Sequence, residues 1–298
     1  MQLFPGGSSK VFTRNNESRR SLTPYLLLLP GMAWLAIFFI IPFFSLFLTS
    51  LMAPAGESVL DGYKTAFQIS NYFNAFSEYW PEFAKSLLYA ASATLLALLI
   101  GYPLAYHIAL RAGRWRNLML VLIIAPFFAS YLVRTYAWKT ILADDSLITT
   151  ALNAMHLLPQ DRLLNTPIAV IAGISYNFLP FMILPLYASL ERVDPRFLEA
   201  SKDLYANPVR TFTKVTLPLS MPGVVSGTLL TFIPAMGDFI NASLLGSTKD
   251  KMIGNVINSQ FVIVRDYPQA SALSFLLMSI ILVIVFFYIR RAGTEDLV

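Results

Sequence analysis

An aspartate inside an otherwise apolar run is the residue in this sequence most in need of a chemical reason. Asp238 stands in FIPAMGDFINA, and a carboxylate within a membrane-length segment is costly unless it is paired or used. Pro234 and Gly237, just ahead of it, kink or loosen a helix and free backbone carbonyls for a ligand. Aromatic side chains supply a second kind of chemistry. Phe127, Tyr131, Arg134 and Trp138 follow the i, i+4, i+7, i+11 spacing of one helical face. Tyr176 and Asn177 fall near the middle of another apolar run, close to Pro180 and Pro185. An anionic group among aromatic faces suits an elongated cation, held by charge and by cation–π attraction. The same residues admit a structural reading, in which Asp238 pairs with Arg134 inside a bundle and the rings are packing or headgroup-level residues. Arg134 opposes a cation path unless it is neutralised or turned away.

Other chemistries lack the residues they need. No G-x-x-x-x-G-K-[ST] occurs, so the chain has no phosphate-cradling loop and any ATP must be held by a partner. His107 and His156 lie in different segments with no ligand spacing, so no metal site is expected. There is no nucleophile elbow, and with Cys 0 there is no thiolate or disulfide. No catalytic residue can be named, and an enzyme is not expected.

The elements that must position Asp238 and the aromatic residues are membrane spans. Hydrophobic residues make up 56% of the 298 and charged residues only 13%, against about 25% charged in soluble domains. About 20 apolar residues cross a bilayer. On that basis the sequence divides into a polar tail at 1–22, a first span with an external loop at 23–85, and a core of five further spans at 86–291. The tail carries Lys10, Arg14, Arg19 and Arg20; the first span, about Tyr25 to Leu51, is too long for a cleavable leader and reads as retained. A short interfacial helix is expected around Tyr63 to Trp80, where aromatic residues are dense. The remaining spans are expected at about Ser86–Leu110, Leu118–Ile141, Thr166–Leu190, Met221–Leu245 and Ala270–Ile289. The fifth opens with Gly223-Val-Val-Ser-Gly227, a small-residue pair that lets another helix approach closely. Asp238 then lies about 24 Å along that helix from Pro222, toward the outer side.

The net charge of +5 reads as topology, not as a nucleic-acid surface. Six spans put both termini on one side, together with the loops at 111–116 and 191–214. These four segments carry 14 of the 22 Lys and Arg residues. The positive-inside rule therefore places both termini and the 191–214 loop in the cytoplasm.

That loop is polar and helix-prone, LEASKDLYANPVRTFTKVTLPLSMPG from Leu198. Asp194-Pro195 is a good helix start, and Asn207-Pro208 ends one helix and caps the next. Two short helices meeting at a bend make a compact knob. Glu199-Ala200-Ser201, Asp203-Leu204, Ala206, Phe212, Val215 and Leu217-Pro218 closely resemble the EAA loop of ABC-importer permeases, here spanning 191–218. The resemblance implies an all-α integral membrane protein with the six-helix fold of type I importer permeases, in the bacterial cytoplasmic (inner) membrane. It implies that Glu199, Ala200, Ser201, Asp203, Leu204, Leu217 and Pro218 couple the chain to its ATPase. It also implies the partners: a second permease, identical or different, two ATPase subunits that hold ATP and Mg, and an external substrate-binding protein, with membrane lipid around the spans. No cofactor is expected in this chain. The family has glycine where Tyr205 stands. Glycine tolerates positive φ and tyrosine does so only at a cost, so Asn207 is expected to carry the bend.

FIPAMGDFI with MIGNVINSQF, and SYLVRTYAW earlier, look like the spermidine/putrescine subgroup, and the likeness runs from about Pro24 to Arg291. This implies a substrate path for polyamines or similar organic cations, with Asp238, Phe127, Tyr131, Trp138, Tyr176 and Asn177 as candidates to line it. Another small solute is the alternative within the architecture: an amino-acid derivative, an organophosphonate or ferric ion. An ion-coupled transporter working without an ATPase is the alternative outside it, but would be expected to carry paired acidic residues within its spans, where Asp238 stands alone.

Overall fold

The computed structural model describes residues 23–56, 62–156, 158 and 162–292, and these are almost wholly helical. The polar tail at 1–22 lies outside the described residues, as do Glu57, Asp61, Asp161 and the chain beyond 292. The chain divides into two units, Met1–Leu46 and Phe47–Val298.

In the first unit α1 (Thr23–Leu35) continues through one π-helical turn, Ala36–Ile40, into α2 (Ile41–Ser50), whose last turn from Phe47 belongs to the second unit. Leu27, Leu29, Trp34, Phe38 and Phe39 are all exposed, which is what a helix surrounded by lipid presents.

The second unit opens with a small hairpin. Strands β1 (Met52–Pro54) and β2 (Tyr63–Thr65) pair antiparallel, with Ala53 opposite Lys64. The interfacial helix expected from Tyr63 therefore begins only at Ser70, because Tyr63 to Thr65 are taken up by strand pairing. From there α3 runs Ser70–Leu110, kinked at Tyr79 (φ −109°, ψ 18°) just before Pro81. The proline lacks an N–H to continue the ladder, so the outer helix and the second span are one bent element and the 85/86 division falls inside it.

Four long helices build the core. α3, α7 (Pro167–Glu191), α11 (Met221–Met236) and α14 (Tyr267–Ala292) surround Ala90, Ala93, Ile174, Met236 and Leu273, all fully buried. α7 follows the expected fourth span closely, with Thr166 capping the Ala169 N–H and Pro167 in its first turn. Small residues set the approach of α11 to α7. A Cβ on Gly223 would come within 2.6 Å of Ser189 Cβ and 2.8 Å of the Pro185 carbonyl, and one on Gly227 within 3.0 Å of the Met182 carbonyl.

The third and fifth spans are broken. Between α4 (Arg116–Ile124), which ends in a 3-10 turn at Ala125–Phe128, and α5 (Tyr131–Ile141), Ala129 and Ser130 are extended. The two arms meet at 98°. Pro126 removes a helical donor there and Ser130 begins the new helix. α6 (Leu147–Ala154) is short and starts on a Ser146 cap. In the fifth span α11 ends at Gly237, and α12 (Ile240–Leu245) resumes after Phe239. A further element was not expected: α13 (Ile253–Ser259) continues as a π turn to Val264 in what reads as a loop, before Arg265 turns into α14 with φ 63°. Counting as one span each of the two bent pairs, Gly113–Phe128 with Tyr131–Ile141 and Pro208–Leu219 with Met221–Met236, the helices among the described residues long and apolar enough to cross a membrane number up to six.

Candidate functional site

The break between α11 and α12 creates the first site. Pro234 cannot donate to the Leu230 carbonyl, and the chain leaves the helix at Gly237. Asp238 follows, 6% exposed. Its Oδ1 accepts from the Asn241 backbone N–H at 2.9 Å, fastening the first turn of α12. Its Oδ2 accepts from Asn241 Nδ2 at 2.7 Å and from the Tyr131 hydroxyl of α5. Asn241 Nδ2 also reaches the Tyr131 oxygen at 2.6 Å. Asn177 of α7 donates to Asn241 Oδ1 at 3.1 Å and to Thr135 Oγ1 at 3.2 Å. Two broken spans and the continuous α7 thus meet in one buried polar network. The start of α13 seals it, since a Cβ on Gly254 would stand 2.4 Å from the Gly237 carbonyl and Asn255 Nδ2 donates to the Phe239 carbonyl at 2.8 Å.

Arg134 is beside this network and outside it. Its guanidinium lies 4.9 Å from the Phe127 ring centroid and 5.6 Å from that of Tyr131, and its Nε and Nη1 are buried without a hydrogen-bond partner. The Asp238–Arg134 pair allowed by the sequence does not form; the ion pair among the described residues joins Arg116 to Glu191. The four residues spaced as one helical face do not lie on one helix, because the bend at Ser130 separates Phe127 from the rest. Their rings nevertheless pack on α7 in a row. Phe127 meets Phe181 at 5.0 Å, Tyr131 meets Phe178 at 6.0 Å and Trp138 meets Tyr176 at 5.3 Å between centroids. Sequence reasoning missed Thr135 and Asn241. The signal for Asn241 was present, three residues after an aspartate that follows a helix break.

The second site is the knob between α7 and α11. α8 (Pro195–Asp203) starts on Asp194, whose Oδ1 accepts from the Arg196 N–H at 2.9 Å. α9 (Pro208–Thr211) starts on Asn207, which accepts from the Arg210 N–H at 2.8 Å, and runs through a π turn into α10 (Leu217–Leu219). The bend is carried by Tyr205 with φ 56°, not by Asn207. Tyr205 N–H donates to the Lys202 carbonyl at 2.9 Å and Ala206 N–H to that of Ser201 at 3.0 Å. This closure ordinarily places glycine in the left-handed position, and a side chain there costs about 1–2 kcal/mol.

The coupling candidates divide by burial. Ser201 is buried and ties the two helices together, with its hydroxyl 3.0 Å from that of Thr211, and Leu217 leans on the α3–α7 core. Glu199, Ala200, Asp203, Leu204 and Pro218 are exposed. The knob is joined to the core through Tyr102 of α3. Its ring stands edge-on to Phe212 at 5.4 Å and its hydroxyl is 2.6 Å from that of Ser220. Arg116 braces the same end of the bundle, hydrogen-bonded to the Tyr187 hydroxyl and paired with Glu191 of α7.

A chain of up to six helical spans with a compact helical knob between the fourth and fifth, and no nucleotide-binding loop in its sequence, has the form of a transport subunit. The family described as binding-protein-dependent transport system inner membrane component matches residues 93–292, and the chain belongs to it. It is a multi-pass inner-membrane protein and not an enzyme. The spermidine/putrescine transport system permease protein PotB of Haemophilus influenzae is 40% identical over 260 residues, covering 87% of this chain and 90% of that protein. PotB of Escherichia coli K12 is 36% identical over 261 residues, covering 87% and 94%. Among solved structures, a chain of a bacterial ABC transporter involved in import of the acidic polysaccharide alginate superposes with a TM-score of 0.68 at 20% identity, over 92% of this chain and 96% of that one. At that identity the likeness is one of fold.

Proposed function

We propose that this chain is the permease subunit of an ATP-driven importer of polyamines, of the spermidine and putrescine kind. The observation that carries the substrate is the 36–40% identity to permeases named for those compounds over 87% of the chain. A buried carboxyl group among aromatic rings, at a break in a span, supports it: a polyamine needs an anionic group and ring faces for its ammonium centres. In this reading Asp238, Tyr131 and Asn177 orient one another through the network around Asn241, while Phe127, Trp138 and Tyr176 furnish the ring faces near it. A second permease completes the path, an external binding protein delivers the substrate, and two ATPases hold ATP and Mg against the cytoplasmic knob. Both termini face the cytoplasm. This chain binds no cofactor of its own.

Uptake of labelled spermidine and putrescine into cells with and without this chain tests the reading, with its binding protein and ATPase present in both. Uptake that depends on the chain and on ATP is the expected result. Unchanged polyamine uptake on its removal, or binding of a different solute class by the cognate binding protein, overturns it.

A further inference from the structure

We infer that Tyr205 is the aromatic anchor by which this permease is recognised by its ATPase. The inference rests on the proposed importer reading and names a contact residue within it. At the end of α8 the chain folds back through a closure that glycine would satisfy without strain, yet Tyr205 occupies it with φ 56°. Strained backbone of this kind persists where the residue serves something beyond the fold. Tyr205 gives nothing to the fold in return, because its side chain is 96% exposed. It stands at the head of the knob beside Leu204, 81% exposed, with Val209 70% exposed on the next helix.

A cluster of this kind needs cover, and its surroundings indicate which cover. Arg196, Lys202 and Arg210 are exposed on the same two helices and Lys214 in the π turn that follows, four cations against Asp194, Glu199 and Asp203. The partner surface is therefore an apolar pocket with an acidic rim, on a soluble protein that reaches the cytoplasmic face. A lipid surface would also receive basic and apolar residues, but it gains nothing from a fixed backbone. Here the backbone is fixed three times over: by the Asp194 cap, by the Asn207 cap and by the Ser201–Thr211 contact. A rigid tyrosine on a rigid mount is the form of an interface hot spot, in which a large ring contributes contact at little cost in conformational freedom.

The test uses the assembled permease pair in lipid nanodiscs with its purified ATPase. Tyr205→Gly is expected to weaken ATPase binding by at least about tenfold, while the permease alone keeps or raises its thermal midpoint through relief of the positive φ. Tyr205→Phe is expected to bind nearly as the parent does. Because the chain has no cysteine, Tyr205→Cys can be followed with a water-soluble maleimide, which should label it freely in nanodiscs and be blocked by the ATPase. Undiminished binding by Tyr205→Gly overturns the inference and leaves the importer reading intact, as does a fall in its thermal midpoint, which makes Tyr205 structural. Protection of Tyr205→Cys before any ATPase is added assigns the residue to lipid and also overturns it. A parent permease that binds no ATPase overturns the importer reading and this inference with it.

Discussion

Hydroxyl and amide donors orient a buried carboxyl group without supplying the opposite charge that an arginine would. Asp238 is held in this way by Tyr131 and Asn241, while Arg134 is occupied with the rings of Phe127 and Tyr131. Asp238→Asn keeps the shape but turns one acceptor into a donor among donors, a mismatch worth about 1–3 kcal/mol. The subunit should therefore still assemble, with a modestly lower thermal midpoint. Polyamine uptake should fall at least about tenfold, the effect of removing the one anionic group a cation would meet. Adding Arg134→Gln should rescue neither property, since no ion pair is being repaired. Unchanged uptake in the single variant removes Asp238 from the path. At this scale the sequence was partly legible. An aspartate in an apolar run announces itself, as do the caps Asp194 and Asn207. The partners of Asp238 did not, because which of several polar groups it meets depends on where two broken helices come to rest. Tyr205 ran against expectation for a related reason: the closing hydrogen bonds at 202 and 201 outweigh a local preference of about 1–2 kcal/mol.

Between elements, distance of approach is set by what a glycine leaves out. Gly223→Ala would place a methyl group against Ser189 Cβ and the Pro185 carbonyl, neither of which is the flexible end of a side chain. Gly254→Ala would meet the Gly237 carbonyl in the same way. Both should lower the thermal midpoint, by an amount matching overpacking costs of about 1–3 kcal/mol. Gly237→Ala is the contrast, since its nearest neighbour would be Leu277 Cδ2 at 3.9 Å. It should be close to neutral in stability, and a large loss there would mean that the break at 237 needs more freedom than this geometry uses. The Gly223–Gly227 pair was legible in sequence as a helix-packing surface, and α7 was legible almost to the residue. The bend at Ser130 was not, because hydropathy runs through it unchanged. Nor was α13, whose apolar stretch is too short to stand out from a loop.

For the molecule as a whole, the proposed orientation rests on basic residues, and the helices give the labelling sites. Fourteen of 22 Lys and Arg lie in the four segments that the proposed topology puts on the side of the knob. Ser201 is buried and would report poorly, but Asp203 is exposed, as is Ala55 in the hairpin loop. In intact cells an impermeant thiol reagent should label Ala55→Cys and spare Asp203→Cys until the membrane is opened. The reverse pattern would invert the molecule and remove the knob from any cytoplasmic partner. The six-span plan could be read from composition and run length, because a bilayer imposes one length on every crossing.

Tyr102 gives this plan a mechanical consequence. It holds Phe212 by its ring and Ser220 by its hydroxyl, so a push on the knob would reach α3 as a torque. Thirteen residues further out on the same rod, about 20 Å away at 1.5 Å per residue, Tyr89 bonds Asp250 at 2.9 Å, and Ser86 accepts from the Ile253 N–H at 2.7 Å. The lever thus has its far end on the segment that closes over Asp238. A displacement of the knob would be carried by this arm to the segment beside Asp238, and a load on that segment would be felt, by the same arm, at the knob.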